Sequence, residues 1–202
     1  MKLTLYFDPT PPNIDYTAFK TNAGDFQEYY RDAHDEDPPR TPRPRGRPVF
    51  VTAFVDASHG ANLKTRRSHT GFIIFINKAP IMWFSKRQST VETSAFSAEM
   101  IAMKTCMESI QALRYKLKMF GVPLSGPAEV FCDNNSLVLN TTNVESKLHK
   151  KHNSLAYHAI RWAVAALILR VAWIDGNENL ADALTKILSK EVKEYLFGNW
   201  TY

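Results

Sequence analysis

The chain is short of cysteine, of long apolar runs and, past residue 48, of proline, and each shortage narrows what it can be. Two cysteines in 202 residues rule out a disulfide scaffold. Cys106 falls in a helical pattern and Cys132 in a strand-like run, so both read as small core residues in a reducing compartment. No apolar stretch approaches the roughly 20 residues needed to cross a bilayer, and no signal-peptide pattern opens the chain. The expectation is a soluble, intracellular protein with no membrane partner. A histidine metal site is disfavoured as well. His149 and His152 stand among Lys147, Lys150 and Lys151, which would repel a cation, and neither a thiolate nor a nearby carboxylate completes a ligand set.

What is present is enough for one good core and not two, given 45% hydrophobic and 12% aromatic residues. The net charge of +5 is uneven. Residues 1–50 hold 7 Lys/Arg against 8 Asp/Glu, so the whole positive excess lies in the remainder, which suggests an anionic partner. Most of the 11 prolines fall before residue 49, in DPTPPN and in DPPRTPRPRGRP from Asp37 to Pro48. That composition favours extended, solvated chain. Residues 1–48 therefore read as a linker or connection segment, with a short helix in FQEYYRDAH from Phe26, and 49–202 as a single folded domain.

The domain opens with PVFVTAFVD, apolar on both sides and ending in Asp56, the pattern of a central strand. The runs Thr70–Ile76 and Ile81–Ser85, joined through Asn77 to Pro80, read as a hairpin, making three antiparallel strands. A long helix follows from about Ser94 to Phe120, closed by Gly121 and Pro123. Its apolar stripe runs through Phe96, Met100, Met103, Met107, Ile110, Leu117 and Phe120. At roughly 100° per residue Glu99 lies close to that stripe, a costly place for a carboxylate without a partner. Next, Val130-Phe131-Cys132 is a short strand that delivers Asp133 to its carboxyl-terminal lip, where α/β sheets place chemistry. Taken alone, one such Asp is more often a turn former or helix cap, and only the acids elsewhere in the chain turn the reading.

A short helix reaches to about Asn143. A second long one, from Lys147 to Leu167, carries Leu155, Ala159, Ile160, Ala163, Val164 and Leu167 as its apolar face. Lysines at its amino terminus oppose the helix dipole, and this mismatch makes Lys150 and Lys151 candidates for phosphate contact. The last strand, Ile168–Ile174, stops at Asp175-Gly176. A final helix from near Asn177 carries Asp182 among Leu180, Ala181, Ala183 and Leu184, a packed setting for an acid.

Three strands, helix, strand, helix, strand, helix, with acids at four of the junctions, is the setting in which several motifs recur in order. They are FVDASHGANLKTRRSHTG, ETSAFSAEMIAM, VFCDNNS, KKHNSLAYHAIR and NLADALTK. On these the domain from Val49 to about Leu188 resembles a ribonuclease H domain, and most nearly that of Ty1/copia-type retrotransposon reverse transcriptases. The Pro-rich arm is similar to the connection between polymerase and ribonuclease H in such polyproteins.

The resemblance implies an α/β fold with a mixed five-stranded sheet, three strands antiparallel and then two parallel, flanked by helices. It implies an active site of Asp56, Glu99, Asp133 and Asp182 holding two Mg²⁺ ions, with Mn²⁺ as a substitute. Two-metal hydrolysis needs one ion to activate water and one to stabilise the leaving 3′ oxygen, and carboxylates supply the hard oxygen ligands. The implied substrate is the RNA strand of an RNA–DNA hybrid, distinguished by its 2′-hydroxyl. Ser58, Asn134 and Ser136 are candidates for contacts near the scissile bond, and Arg66 and Arg67 for phosphate. The implied partner is the reverse transcriptase domain of the same polyprotein, in a cytoplasmic particle with access to the nucleus. Two departures stand out: DGNEN, from Asp175 to Asn179, lacks the histidine many cellular relatives carry there, and HGAN lacks an acid near Asn62. A catalytically inactive hybrid-binding relic is the rival expectation. A DNA-directed nuclease or integrase on the same fold comes third.

Overall fold

The structure, a computed structural model, describes residues 9–11, 13, 15–19, 26–148 and 151–197. Five strands form one sheet: β1 (Val51–Ser58), β2 (His69–Ile76), β3 (Ala79–Arg87), β4 (Ala128–Cys132) and β5 (Leu169–Trp173), in the order β3-β2-β1-β4-β5. β1, β2 and β3 pair antiparallel, whereas β4 lies parallel to β1 and β5 parallel to β4. This is the expected α/β mixed sheet, with β1 at its centre. β1 is apolar on both faces because both are covered.

Side-chain alternation divides the work of β1. Ala53, Val55 and Ala57, with Phe72 and Ile74 of β2, join the main core beside α1 (Ala95–Met119), which contributes Ala98, Met100, Met103 and Ile110. On the other face Phe54 packs with Ile73, Phe75 and Leu180 on one side and with Phe19 and Phe131 on the other. Ser94 caps α1 by accepting from Ser97 N, and Gly121, at φ 68°, supplies the left-handed turn beyond it.

α2 (Asn135–Thr142) follows β4, and α3 (Ser154–Ala165) precedes β5. The chain closes through α4 (Asp182–Thr185) and α5 (Lys190–Phe197). Cys106 and Cys132 are both buried and free.

Several local expectations are corrected. The hairpin turn is only Asn77-Lys78, with Asn77 at φ 55°, and Pro80 falls inside β3 opposite a register irregularity. An edge strand tolerates a residue that cannot donate. Phe120 and Leu155 are 80% and 82% exposed, so neither belongs to its helix's apolar face. Phe120 sits past the last turn of α1, and Leu155 in the opening turn of α3 points away from the sheet. α3 starts at Ser154, after a single 3-10 turn at Lys151–Asn153. The lysines therefore precede the helix, which spares it an unfavourable charge on its first turn.

Residues 26–48 are not wholly solvated either. Phe26 is fully buried in the main core under the Arg161 guanidinium, 4.8 Å from its ring centre. Asp35 pairs with Arg114 at 2.7 Å and with Lys118 at 3.0 Å on the outer side of α1. Composition hid this contact, because two well-placed residues anchor a stretch that is otherwise proline and charge. Phe26 and Gln27 form a single helical turn that Tyr29 and Tyr30 close by donating to Phe26 O, and no longer helix occupies the FQEYYRDAH stretch.

Candidate active site

Asp56 lies two residues inside β1 rather than at its end, and is 1% exposed. Its antiparallel partner is Gly71. The missing side chain there leaves room for α4: a Cβ on Gly71 would stand 2.6 Å from Thr185 Cγ2 and 3.1 Å from Ala181 O. Thr185 uses that approach to donate its hydroxyl to Asp56 Oδ2. Ser85 Oγ donates to Leu184 O, and Asn179, fully buried, donates to Val55 O and accepts from Ala181 N. The last segment is thus fastened to β1 and β3 on either side of Asp56, and Asp182 arrives as the first residue of α4.

Glu99 comes from the second turn of α1 and is 7% exposed, with Oε2 buried and without a hydrogen-bond partner. Asp133 follows β4 directly, its carbonyl accepting from the Trp173 indole at 3.0 Å. Ligating atoms of Asp56, Asp133 and Asp182 lie within 4.8 Å of one another, as do those of Glu99, Cys132 and Asp133. Asp133 is therefore the hinge between two groups, and the four acids expected from the sequence converge on one end of the sheet.

Such crowding has an electrostatic consequence. Burial, reinforced by the charges of Asp56 and Asp133, pushes the Glu99 carboxyl up to about 9. Asp133 is raised by burial and by Asp56, and Asp182 by burial, partly offset by its hydrogen bond from Lys186. Lys186 Nζ lies 2.8 Å from Asp182 Oδ1 and 3.6 Å from Asp56 Oδ2. Burial works against its ammonium, but the bond to Asp182 and the charges of Asp56, Asp182 and Asp133 outweigh it and hold its pKa above the ordinary value. A cation is what this pocket calls for.

The donor set fits a hard divalent ion. It is carboxylate oxygen throughout except for Cys132, whose thiol burial and the Glu99 charge push far up, so that it stays protonated and a poor ligand. The unpartnered Glu99 Oε2 is the kind of buried polar atom a ligand would satisfy.

The remaining candidates are more scattered. Ser58 is half-buried at the end of β1, on the same face as Asp56. Asn134 is committed to capping α2, accepting from Leu137 N, while Ser136 is exposed one residue into the helix. Arg66, at φ 55°, is exposed and Arg67 half-buried in the loop before β2. Lys151 is exposed, and Lys150 lies outside the described residues. Sequence reasoning missed Lys186, Thr185, Asn179 and Gly71. Two signals were available: Lys186 is four residues from Asp182, a helical neighbour, and a lone Gly inside a strand marks a close approach.

No family model matches the chain. It is 32% identical over 146 residues to the retrovirus-related Pol polyprotein from transposon RE2 of Arabidopsis thaliana, covering 72% of this chain and 10% of that one. Over 145 residues, again 72% of this chain and 11% of the relative, it is 30% identical to the Pol polyprotein from transposon TNT 1-94 of Nicotiana tabacum. The chain thus spans about a tenth of the length of the relatives it matches. Among solved structures, LC11-RNase H1, isolated from compost by a metagenomic approach, aligns in its complex with an RNA/DNA hybrid at TM-score 0.53 and 19% identity, over 66% of this chain and 92% of that one. The N-terminal RNase H domain of a Mycobacterium tuberculosis protein aligns at 0.51 and 15%, over 75% and 98%. Those two likenesses establish the fold.

Proposed function

Because this chain is a homologue of the Pol polyproteins of copia-type transposons and has the ribonuclease H fold, we propose that it is a metal-dependent endonuclease that hydrolyses the RNA strand of RNA–DNA hybrids during reverse transcription. The observation that carries the reading is the position of Asp133, shared between two groups of potential ligands that include Asp56, Glu99 and Asp182. Carboxylates gathered at one buried pocket repel one another, and the arrangement acquires a purpose once cations neutralise it.

In this reading Asp56, Glu99, Asp133 and Asp182 would hold Mg²⁺, with Glu99 assigned to the leaving-group side and Asp182 to the side of the attacking water. The bound ions supply activation of that water and stabilisation of the leaving 3′ oxygen. The chain's own residues do the positioning. Thr185 fixes the Asp56 carboxylate by donating to Oδ2, and Asn179 ties the segment carrying Asp182 to β1. Burial, with the neighbouring acids, keeps the proton on Glu99 in the metal-free site. Lys186 steadies Asp182 from the solvent side. Ser58 and Ser136, flanking the acids, would meet the ribose and phosphate of the cut strand, and the polymerase portion of the polyprotein is the partner that would present the hybrid, in the element's cytoplasmic particle.

Incubation with end-labelled RNA–DNA hybrid and Mg²⁺ tests this. Nicks confined to the RNA strand, with 3′-hydroxyl and 5′-phosphate ends, are expected, and duplex DNA should survive. Equal cutting of duplex DNA would move the protein to a DNA-directed nuclease. Binding of hybrid without cleavage would make it the inactive module, a reading that Lys186, already lodged beside Asp56 and Asp182, specifically favours.

A further inference from the structure

At the end of the sheet nearest Asp56 lies a second feature that the acids do not use. Strand register locates it. Asp56, Gly71 and Ser85 form one cross-strand row, and two residues further along β1 the same face carries the row Ser58, His69, Arg87. Strand rise puts the rows about 7 Å apart, close enough for one nucleic-acid strand to lie across both. His69 and Arg87 open into a cleft of about 460 Å³ that Arg67, Lys86 and Asn62 also line.

Three permanent cations wall this cleft, with no carboxylate among the residues lining it. Arg67, Lys86 and Arg87 have no ion-pair partner among the described residues. The walls are nonetheless held in place. Gln88 N donates to Ser68 O at 2.7 Å and Asn62 N to Arg67 O at 3.2 Å, which closes the loop against the end of β3. The buried Gln88 amide donates to Thr70 Oγ1 and Ala98 O, anchoring the floor to β2 and to α1. Like charges carried on an anchored backbone without counter-charges favour an anion.

We infer that this cleft binds a backbone phosphate of the nucleic acid whose neighbouring residues lie at Asp56. Guanidinium forks suit phosphate oxygens in a bidentate geometry, and the shared sheet face makes cleft and acids one continuous track. The inference deepens the nuclease reading and rests on it for the identity of the strand, though not for the anion.

Fluorescence anisotropy of a short labelled RNA–DNA hybrid, over a salt series, tests it in the Asp133→Asn background that prevents cutting. Adding Arg67→Ala and Arg87→Ala should weaken binding about tenfold at low salt and make the slope of log K against log salt shallower by about two. A control pair that removes equal charge elsewhere, Lys116→Ala with Lys193→Ala, should change the slope by less than about 0.5. Arg87, Lys116 and Lys193 are exposed and Arg67 half-buried, so an unchanged melting curve is required of each variant before its slope is read. An unchanged slope in the cleft variant, or an equal loss in the control, overturns the inference. If the parent chain never cuts hybrid yet the cleft variant alone loses binding, the nuclease reading fails and the cleft stands.

Discussion

Lys186 holds its ammonium 2.8 Å from Asp182 Oδ1, one helical turn away, and from there also reaches Asp56. A side-chain cation thus sits where buried Asp56 and half-buried Asp182 would otherwise face each other uncompensated. Replacing it by Met should lower the stability of the metal-free protein by about 1 kcal/mol, since the pair is partly screened by solvent. The same change removes a competitor for the carboxylates, so half-maximal thermal stabilisation should need less Mg²⁺ than in the parent. A variant that needs more Mg²⁺ would show that Lys186 assists metal binding instead.

Glu99 gives a pH signature with a definite sign. Its carboxyl titrates at about 9 in the folded protein against an ordinary 4.5, so between those values the folded state holds a proton that the unfolded state has released. Stability of the metal-free protein therefore falls as pH rises through that window, by at most about 1.4 kcal/mol per pH unit for one proton. Asp133 and Asp182, also raised, act in the same direction. Glu99→Gln should flatten the decline and melt higher than the parent at the alkaline end. Parallel curves for the two proteins would contradict this.

Gly71 should resist even the smallest side chain. Ala there would set its methyl 2.6 Å from Thr185 Cγ2 and 3.0 Å from Leu184 Cβ, so α4 must back away from β2. The expected cost is about 1–3 kcal/mol, together with a loss of hybrid cleavage, because Thr185 and Asp182 move with that segment. Melting and cleavage indistinguishable from the parent would show that α4 adjusts freely.

Asp35 tests whether residues 26–48 support the domain. Arg114 is almost fully buried, and besides Asp35 it donates only to Gly126 O among the described residues. Asp35→Ala leaves that guanidinium without its counter-charge, for an expected loss of about 2–3 kcal/mol. Glu36→Ala, next door and without a contact to Arg114, serves as control in the same denaturant titration.

The order of elements was legible because each announces itself locally. β1 is apolar on both faces, the hairpin has its turn residues, and α1 carries a stripe between a capping Ser94 and a terminating Gly121. Glu99 was legible from helical geometry and Asp133 from the abrupt end of an apolar strand. Contacts that close across the chain were not. Asp56 meets Thr185 from the far end of the sequence, and Gly71 matters only for what presses on it. Arg161 covers Phe26 from a helix that the arm's composition does not foretell. Such pairings belong to tertiary packing, which overrides local composition.

If Asp56, Glu99, Asp133 and Asp182 together form a divalent metal site, Asp133, common to both ligand groups, is the residue to remove. Thermal melts of the parent chain and of Asp133→Asn across a Mg²⁺ titration test it without requiring turnover. Asp133→Asn should melt no lower than the parent without metal, because one repulsive charge has gone. The parent's melting temperature should climb with Mg²⁺ while the variant's barely moves. Equal climbs in the two proteins would contradict it, since the stabilisation would then owe nothing to Asp133.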